Sequence, residues 1–409
     1  MERGWGGTSM KRLAVFCDGT WNRLSAEHPT NVVLAARSVL PYGTDGVPQV
    51  TYYDEGVGTT FLINQALERT LAGAFGWGLF DKIAAAYRFL VFNYDPGDEI
   101  YIFGFSRGAF TARSLAGLIR KCGIVTRDRL DKVEEAFKFY KDNSPEAHPD
   151  MERAQQFRLE NSQDIIMKPE DRAFRQALGV PTALTNQPLF TLKYLGVWDT
   201  VGALGMPRYL LLERIFRTAA KYQFHDAALS SIVEAARHAV AIDEDRLSFE
   251  PALWDNVGDL NRIEGRAGNY HQLWFPGDHG SVGGGGDITG LSASPLVWIM
   301  DGASRQGLAF DRVALKAYAG ERDDFAPLHN MTAPKSWTEI IYRRGARKGP
   351  ARQADLGASS RARIARAASA DWPIYRPAAL SAFFERQSQT ARRRSEERRP
   401  TEPSPSAPS

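Results

Sequence analysis

Cysteine is scarce in this chain, with two residues, Cys17 and Cys122, among 409. Two cysteines do not make a disulfide framework, and a chain of this length does not need one to be stable. The sequence also has no apolar signal segment at its N-terminus and no uncharged apolar run of about 18 residues, the length that a membrane span requires. We therefore predict a cytoplasmic protein, and leave open export without a cleaved signal peptide.

Net charge is low as well, at +3 for the whole chain, but it is unevenly distributed. From position 343 onward 15 Lys and Arg stand against 6 Asp and Glu, a net charge of +9, which leaves −6 for the rest. A mildly acidic body argues against a nucleic-acid partner. The stretch 343–409, rich in Ala, Arg and Pro, is predicted to be a largely disordered basic tail, which could still contact anionic lipid.

Short apolar runs that end in polar or Gly-rich turns are typical of buried parallel strands. They alternate with helical patterns, as at 79–92 and 109–121, so the sequence predicts an α/β fold with a mostly parallel sheet. Ligands of such sheets bind at the carboxyl ends of the strands. Five runs fit this description: 12–17, 49–53, 99–103, 191–197 and 271–275.

Two regions interrupt the alternation, at 130–184 and at 207–245. We predict that both are helical insertions in a catalytic domain that spans 1–342. They could form a cap over its site. The second carries bulky apolar residues from Tyr209 to Phe216, which would suit either a substrate with an apolar tail or ordinary core packing.

The pentapeptide Gly104 to Gly108 matches the pattern G-x-S-x-G, with Ser106 at its centre. An apolar run precedes it and a helical run follows at once, which is the strand–turn–helix setting that a nucleophile elbow requires. The flanking glycines would let strand and helix approach closely while the serine hydroxyl is lifted clear of the sheet. A plain turn with Ser106 as a helix cap is the alternative.

A serine hydroxyl needs an adjacent base to take its proton. Of the seven histidines, His279 alone follows a predicted strand in a Gly-rich turn, so we predict that it is this base. The remaining ones lie in turns or charged stretches, in the second insertion or at the start of a strand: His28, His148, His225, His238, His271 and His329.

The acid that orients the base is predicted to be Asp199, because it ends a buried strand and because the order Ser, Asp, His is that of α/β-hydrolases. Asp243, Asp245 and Asp287 are rivals, while Asp278 is adjacent to the histidine and badly placed to turn back to it.

The transition state would need donors to a developing oxyanion. The amide of Arg107, at the start of the helix after Ser106, is one candidate, and an amide of Gly19 or Thr20 after the first strand is another. A simple Asx turn at Asp18 explains the latter segment equally well. No cofactor is needed for this chemistry, and no residue set has convincing metal-ligand spacing.

Several motifs together resemble the catalytic domain of the first class of type VI secretion phospholipase effectors. The resemblance runs from about Lys11 to Ala303 and rests on five segments in order: FCDGTWN at 16–22, YDEGVGT at 53–59, GFSRGAF at 104–110, GVWDTVG at 196–202 and WFPGDH at 274–279. One departure is that the family commonly reads H-S-D-V-G-G where this chain has His-Gly-Ser-Val-Gly-Gly at 279–284.

The resemblance implies an α/β-hydrolase with a Ser106–Asp199–His279 triad and lipase or phospholipase A activity on acyl esters or phospholipids. It also implies peripheral membrane contact and an immunity or secretion partner. Two other functions stay open from the sequence, a membrane- or protein-binding module on a hydrolase fold and an esterase for non-lipid substrates.

Overall fold

Six parallel strands form the sheet of this protein in a computed structural model, which describes residues 10–19, 25–55, 72–202, 228–332, 343–369 and 373–397. Their order across the sheet is β2-β1-β3-β4-β5-β6, so the α/β prediction is confirmed. All five predicted strands are present. The bounds are β1 Arg12–Cys17, β2 Gln49–Asp54, β3 Glu99–Phe105, β4 Leu192–Trp198, β5 Val233–Ala241 and β6 Tyr270–Phe275.

Helices occupy most of the connections between the strands. No helix within the described ranges is both long and apolar enough to cross a membrane. The bounds are α1 Asn31–Arg37, α2 Ala72–Asn93, α3 Arg107–Cys122, α4 Val133–Tyr140, α5 Glu152–Asn161, α6 Pro169–Ala177, α7 Thr182–Thr185, α8 Val257–Leu260, α9 His279–Gly283, α10 Gly290–Arg305, α11 Arg312–Gly320, α12 Ala358–Ala365 and α13 Ser381–Glu397.

The sheet separates two apolar cores because successive side chains of a strand point to opposite faces. In β1, Leu13 and Val15 join the core formed with α2 and α3, while Ala14 and Phe16 join the core formed with α1 and α10. Both faces of the strand are fully buried, which is why β1 reads as a continuous apolar run rather than an alternating one.

The helical prediction for 207–245 is wrong where the structure describes it, because Val233–Ala241 is the strand β5. Its four alanines favour a helix by propensity, but burial between two strands decides the outcome here. Small side chains fit because bulky residues cover both faces, with Trp254 in one core and Ile299 in the other. Residues 203–227, including Tyr209 to Phe216, lie outside the described residues.

The region of the first predicted insertion, 130–184, contains α4, α5 and α6, and α7 ends one residue beyond it. Two of its helices, α4 and α5, pack against α3, and a buried ion pair joins Arg158 of α5 to Asp171 of α6 at 2.6 Å. Its role as a cap over the site stays a prediction.

The predicted disordered tail is folded where the structure describes it. Leu356 pairs with Trp274 at the edge of the sheet, and the amide of Gly357 donates to the Trp274 carbonyl at 2.8 Å. Leu380 and Phe383 are buried in a third core that covers β6. This apolar set is small, but its spacing lets it cover an otherwise open strand edge.

Removing a side chain from this third core tests whether the C-terminal segment is folded in solution. We expect Leu380→Ala to lower the free energy of unfolding by about 2–5 kcal/mol, because Leu380 is fully buried. Ile374 lies in the same segment but is 55 % exposed, so Ile374→Ala should cost less than about 0.5 kcal/mol. Urea unfolding of both variants checks this, and equally small losses would show a tail that does not pack on the sheet.

Candidate active site

Ser106 occupies a strained turn between β3 and α3. Its backbone lies at φ 58° and ψ −122°, a conformation rare for a residue with a side chain. A Cβ added to Gly104 would collide with the carbonyl of Gly108, and one added to Gly108 would collide with the carbonyl of Cys17. The two glycines of the motif are therefore required by close backbone approach, as a nucleophile elbow demands.

The elbow lies where the strand order reverses. From β1 the chain continues to β2 on one side, and from β3 it continues to β4 on the other, with α1 and α3 on opposite faces of the sheet. Connections that leave adjacent strands in opposite directions open a crevice at the carboxyl edge, where α/β proteins bind ligands.

Asp199 sits on a second strained turn, at the end of β4. Its φ is 37°, and its side chain is fully buried. The amide of Asp199 donates to the Ala239 carbonyl at 2.7 Å, while the preceding carbonyl, of Trp198, accepts the amide of Ser106 at 3.0 Å. Backbone hydrogen bonds thus tie the predicted nucleophile turn to the predicted acid turn.

The structure brings the predicted acid and base into direct contact. Nδ1 of His279 lies 2.5 Å from Oδ2 of Asp199, and His279 is 7 % exposed. A carboxylate can only accept, so Nδ1 donates in this contact, and in the neutral ring Nε2 then has the lone pair that a general base needs.

Aromatic rings connect this pair to the nucleophile turn. The imidazole of His279 packs on the ring of Phe105, with ring centres 4.6 Å apart, and on the ring of Phe249 at 5.0 Å. Phe105 immediately precedes Ser106, so the base is held at the same edge of the sheet as the elbow.

The rival acids are engaged elsewhere. Their hydrogen-bond and ion-pair partners are the Tyr375 hydroxyl and Gly277 amide for Asp243, Arg344 for Asp245, the Thr332 amide for Asp287 and Ser281 for Asp278.

No group of three or more His, Cys, Asp and Glu among the described residues is arranged to hold a metal ion.

A cation that the sequence analysis missed also binds Asp199. Nη1 of Arg347 lies 2.7 Å from Oδ1 and Nη2 lies 2.9 Å from Oδ2, and the Ala241 amide donates to Oδ1 at 2.9 Å. Burial alone would raise the pKa of Asp199, but the Arg347 charge and the His279 hydrogen bond lower it well below its usual range. The carboxylate is therefore ionised at neutral pH.

His238, placed by the sequence analysis in a helix, supports the acid turn from β5. Its Nε2 accepts the amide of Thr200 at 3.2 Å, and its Nδ1 donates to Oε1 of Gln272 at 3.0 Å. Burial lowers the pKa of His238 to about 3, so the ring is neutral and can accept. Recognition of Val233–Ala241 as a strand would have placed this histidine beside Asp199.

The predicted oxyanion donors have different surroundings. Arg107 is the first residue of α3, where backbone amides point out of the helix. The amide of Gly19 donates to Oδ1 of Asp18 at 2.6 Å, which favours the local-turn interpretation of this segment. Thr20 lies outside the described residues.

The loop of the base shows how its unusual sequence is accommodated. The side chain of Asn330 packs on Gly280 and leaves no room for a Cβ there. Asp278 caps α9 by accepting the amide of Ser281 at 2.9 Å, and the Ser281 hydroxyl lies 2.9 Å from the same oxygen. The sequence His-Gly-Ser-Val-Gly-Gly at 279–284 thus forms a well hydrogen-bonded loop around His279.

A parallel α/β sheet, a serine on a strained strand-to-helix turn and an Asp–His pair at the same edge define an α/β-hydrolase-type fold. Residues 11–302 match the family described as type VI secretion system (T6SS), phospholipase effector Tle1-like, catalytic domain. The chain belongs to this family.

The individual relatives are matched over only part of their own length. The uncharacterized protein YEL023C of Saccharomyces cerevisiae is 28 % identical over 258 residues, which are 59 % of this chain and 32 % of that protein. Two solved structures are each 18 % identical. An uncharacterized protein from Pseudomonas aeruginosa has a TM-score of 0.40 over 74 % of this chain and 46 % of its own. The Tle1 effector bound to the VgrG spike of the type 6 secretion system has a TM-score of 0.33 over 70 % and 53 %. The chain thus spans about a third of the curated relative and about half of the solved chains.

A single methyl group tests the elbow. We expect Gly108→Ala to destabilise the protein by at least about 2 kcal/mol, because the new Cβ meets the backbone carbonyls of Cys17 and Asp18, which cannot move aside. In Gly258→Ala the added methyl group meets nothing within 4 Å, so this variant serves as the matched control. Thermal unfolding measures both, and equal melting temperatures would rule out the tight turn.

Proposed function

We propose that this protein is a serine hydrolase of carboxylic esters, with Ser106 as nucleophile, His279 as general base and Asp199 as the acid that orients it. The observation that carries the proposal is the buried 2.5 Å contact between Asp199 and His279 at the edge where Ser106 occupies a nucleophile elbow. Each of the three groups follows a different strand, as a triad on this type of sheet requires.

The reaction would proceed in two halves. Nε2 of His279 takes the proton from Oγ of Ser106 as Oγ bonds to the acyl carbon, and the carbonyl oxygen becomes an oxyanion near the Arg107 amide. The C–O bond to the alcohol then breaks, and the alcohol leaves with the proton from His279. A water molecule repeats the sequence on the acyl-enzyme, giving the free acid and restoring Ser106.

Phospholipids are the proposed substrates, and family membership is the support for this choice. An acyl-ester bond at a lipid surface would require peripheral membrane contact. The Tle1 effector in the solved structure is bound to a VgrG spike, and we propose a secretion partner of that kind for this chain.

Covalent labelling tests the nucleophile. We expect a fluorophosphonate to modify Ser106, and Ser106→Ala to abolish labelling and to reduce ester turnover at least about 10³-fold, because a methyl group has no nucleophile to offer. Ser388→Ala removes an exposed hydroxyl that bonds only locally to the Phe384 carbonyl, so it should behave as wild type. Full turnover in Ser106→Ala would exclude the proposed triad.

A substrate panel tests the lipid assignment separately. Wild type and Ser106→Ala would be assayed on short-chain esters, long-chain esters and phospholipid vesicles, with fatty-acid release as the readout. We expect serine-dependent release from phospholipids. Serine-dependent cleavage of short esters alone would keep the triad and identify a non-lipid esterase instead.

A further inference from the structure

The folded C-terminal segment, described at 343–369 and 373–397, reaches the candidate site. It lies outside the part of the chain that matches the family, because that match ends at residue 302. It contributes two buried contacts. Arg347 binds the carboxylate of Asp199, and the hydroxyl of Tyr375 donates to Oδ2 of Asp243 at 2.7 Å. Both partners lie in turns that follow strands at the carboxyl edge of the sheet.

Arg347 is held in a fixed orientation. It is 7 % exposed, and its two terminal nitrogens bind the two oxygens of Asp199 in the fork geometry that guanidinium and carboxylate share. The same nitrogens donate to the carbonyls of Ala241 at 2.9 Å and Phe249 at 2.5 Å. Ala241 ends β5 and Phe249 lies between β5 and β6, so the cation is enclosed by the elements that form the site.

We propose that Arg347 is a positioning residue for the hydrolytic reaction, which fixes the carboxylate of Asp199 and offsets the effect of its negative charge on the imidazole of His279. The inference rests on the proposed function. A carboxylate beside an imidazole favours the protonated ring, and a protonated ring cannot take a proton from Ser106. The positive charge of Arg347 on the same carboxylate opposes that effect.

Among the described residues, the acidic groups near the imidazole, apart from Asp199, have partners of their own. From the turn after β5, Glu244 accepts the amide of His279 at 3.3 Å, but Arg246 binds both oxygens of Glu244. Asp278, which directly precedes His279, accepts the amide of Ser281, and its Oδ2 lies 2.9 Å from Nδ1 of His329. The rings of Phe105 and Phe249 that cover the imidazole carry no charge.

Tyr375 extends the same support to the base loop. Oδ2 of Asp243 accepts both the Tyr375 hydroxyl and the amide of Gly277, each at 2.7 Å. Gly277 is two residues before His279 and has a φ of 99°, so its conformation directs the loop toward the acid. The C-terminal segment therefore holds both the acid and the base.

The test compares Arg347→Met and Arg347→Gln, which remove the charge, with Arg347→Lys, which retains it. Arg352→Met is the matched control, because Arg352 belongs to the same segment, is exposed and pairs only with Asp355. Folding is first checked by near-ultraviolet circular dichroism. The pH dependence of Ser106 labelling by a fluorophosphonate is then measured on the full chain.

We expect the acid limb of the labelling profile to move to higher pH by about one unit in Arg347→Met and Arg347→Gln, because loss of the cation favours the protonated imidazole. Labelling below the midpoint then falls about tenfold. Arg347→Lys should keep the wild-type midpoint and label more slowly, because one ammonium group cannot reproduce the fork. Arg352→Met should match wild type. The proposal would be overturned if the pH midpoint of labelling is unchanged in both Arg347→Met and Arg347→Gln, or if Arg347→Lys labels at the wild-type rate.

Protonation of the imidazole is followed independently by NMR on histidine-labelled protein, with the His279 signal assigned from His279→Gln. This readout needs no turnover. If wild type fails to label but the His279 midpoint still rises in the neutral Arg347 variants, the hydrolase function is wrong and the electrostatic role of Arg347 stands. If the titration midpoint of the His279 signal is the same in wild type and in the Arg347→Met and Arg347→Gln variants, the role assigned to Arg347 is wrong whatever the activity.

Discussion

The buried carboxylate of Asp199 is the charge on which the rest of the site depends. A carboxylate with no exposed surface is stable only when its oxygens are fully hydrogen-bonded and its charge is compensated. Here a backbone amide, a guanidinium and an imidazole meet that need, and they come from three separate parts of the chain, at Ala241, Arg347 and His279. Loss of any one of them leaves the same buried charge undersatisfied.

The ends of the two strands that carry the predicted nucleophile and acid have strained backbone. Among the described non-glycine residues, positive φ occurs at Ser106 and Asp199, the predicted nucleophile and acid. The two turns are linked through the hydrogen bond from the Ser106 amide to the Trp198 carbonyl, so each helps to fix the other. The central strands β3 and β4 lie side by side and provide the rigid support that such turns need.

Much of this architecture could be predicted because it is local in sequence. Apolar runs marked five strands, and the glycines around Ser106 marked a turn whose close approaches the structure confirms. The strand β5 was missed because alanine has little β-propensity of its own and only its buried setting selects the strand. Arg347 was missed because the contact spans 148 positions, and nothing in the local sequence of a basic stretch distinguishes one arginine from the next.

The separation of residues 199 and 347 bears on how the protein is made. A ribosome delivers the carboxylate first and the guanidinium much later, after the whole sheet has emerged. Until residue 347 has emerged, a native-like arrangement around the acid would confine an anion without its guanidinium partner, which is unfavourable by several kcal/mol. Closure of this ion pair therefore comes after all six strands have emerged, and the residues that cover the edge of β6 emerge later still.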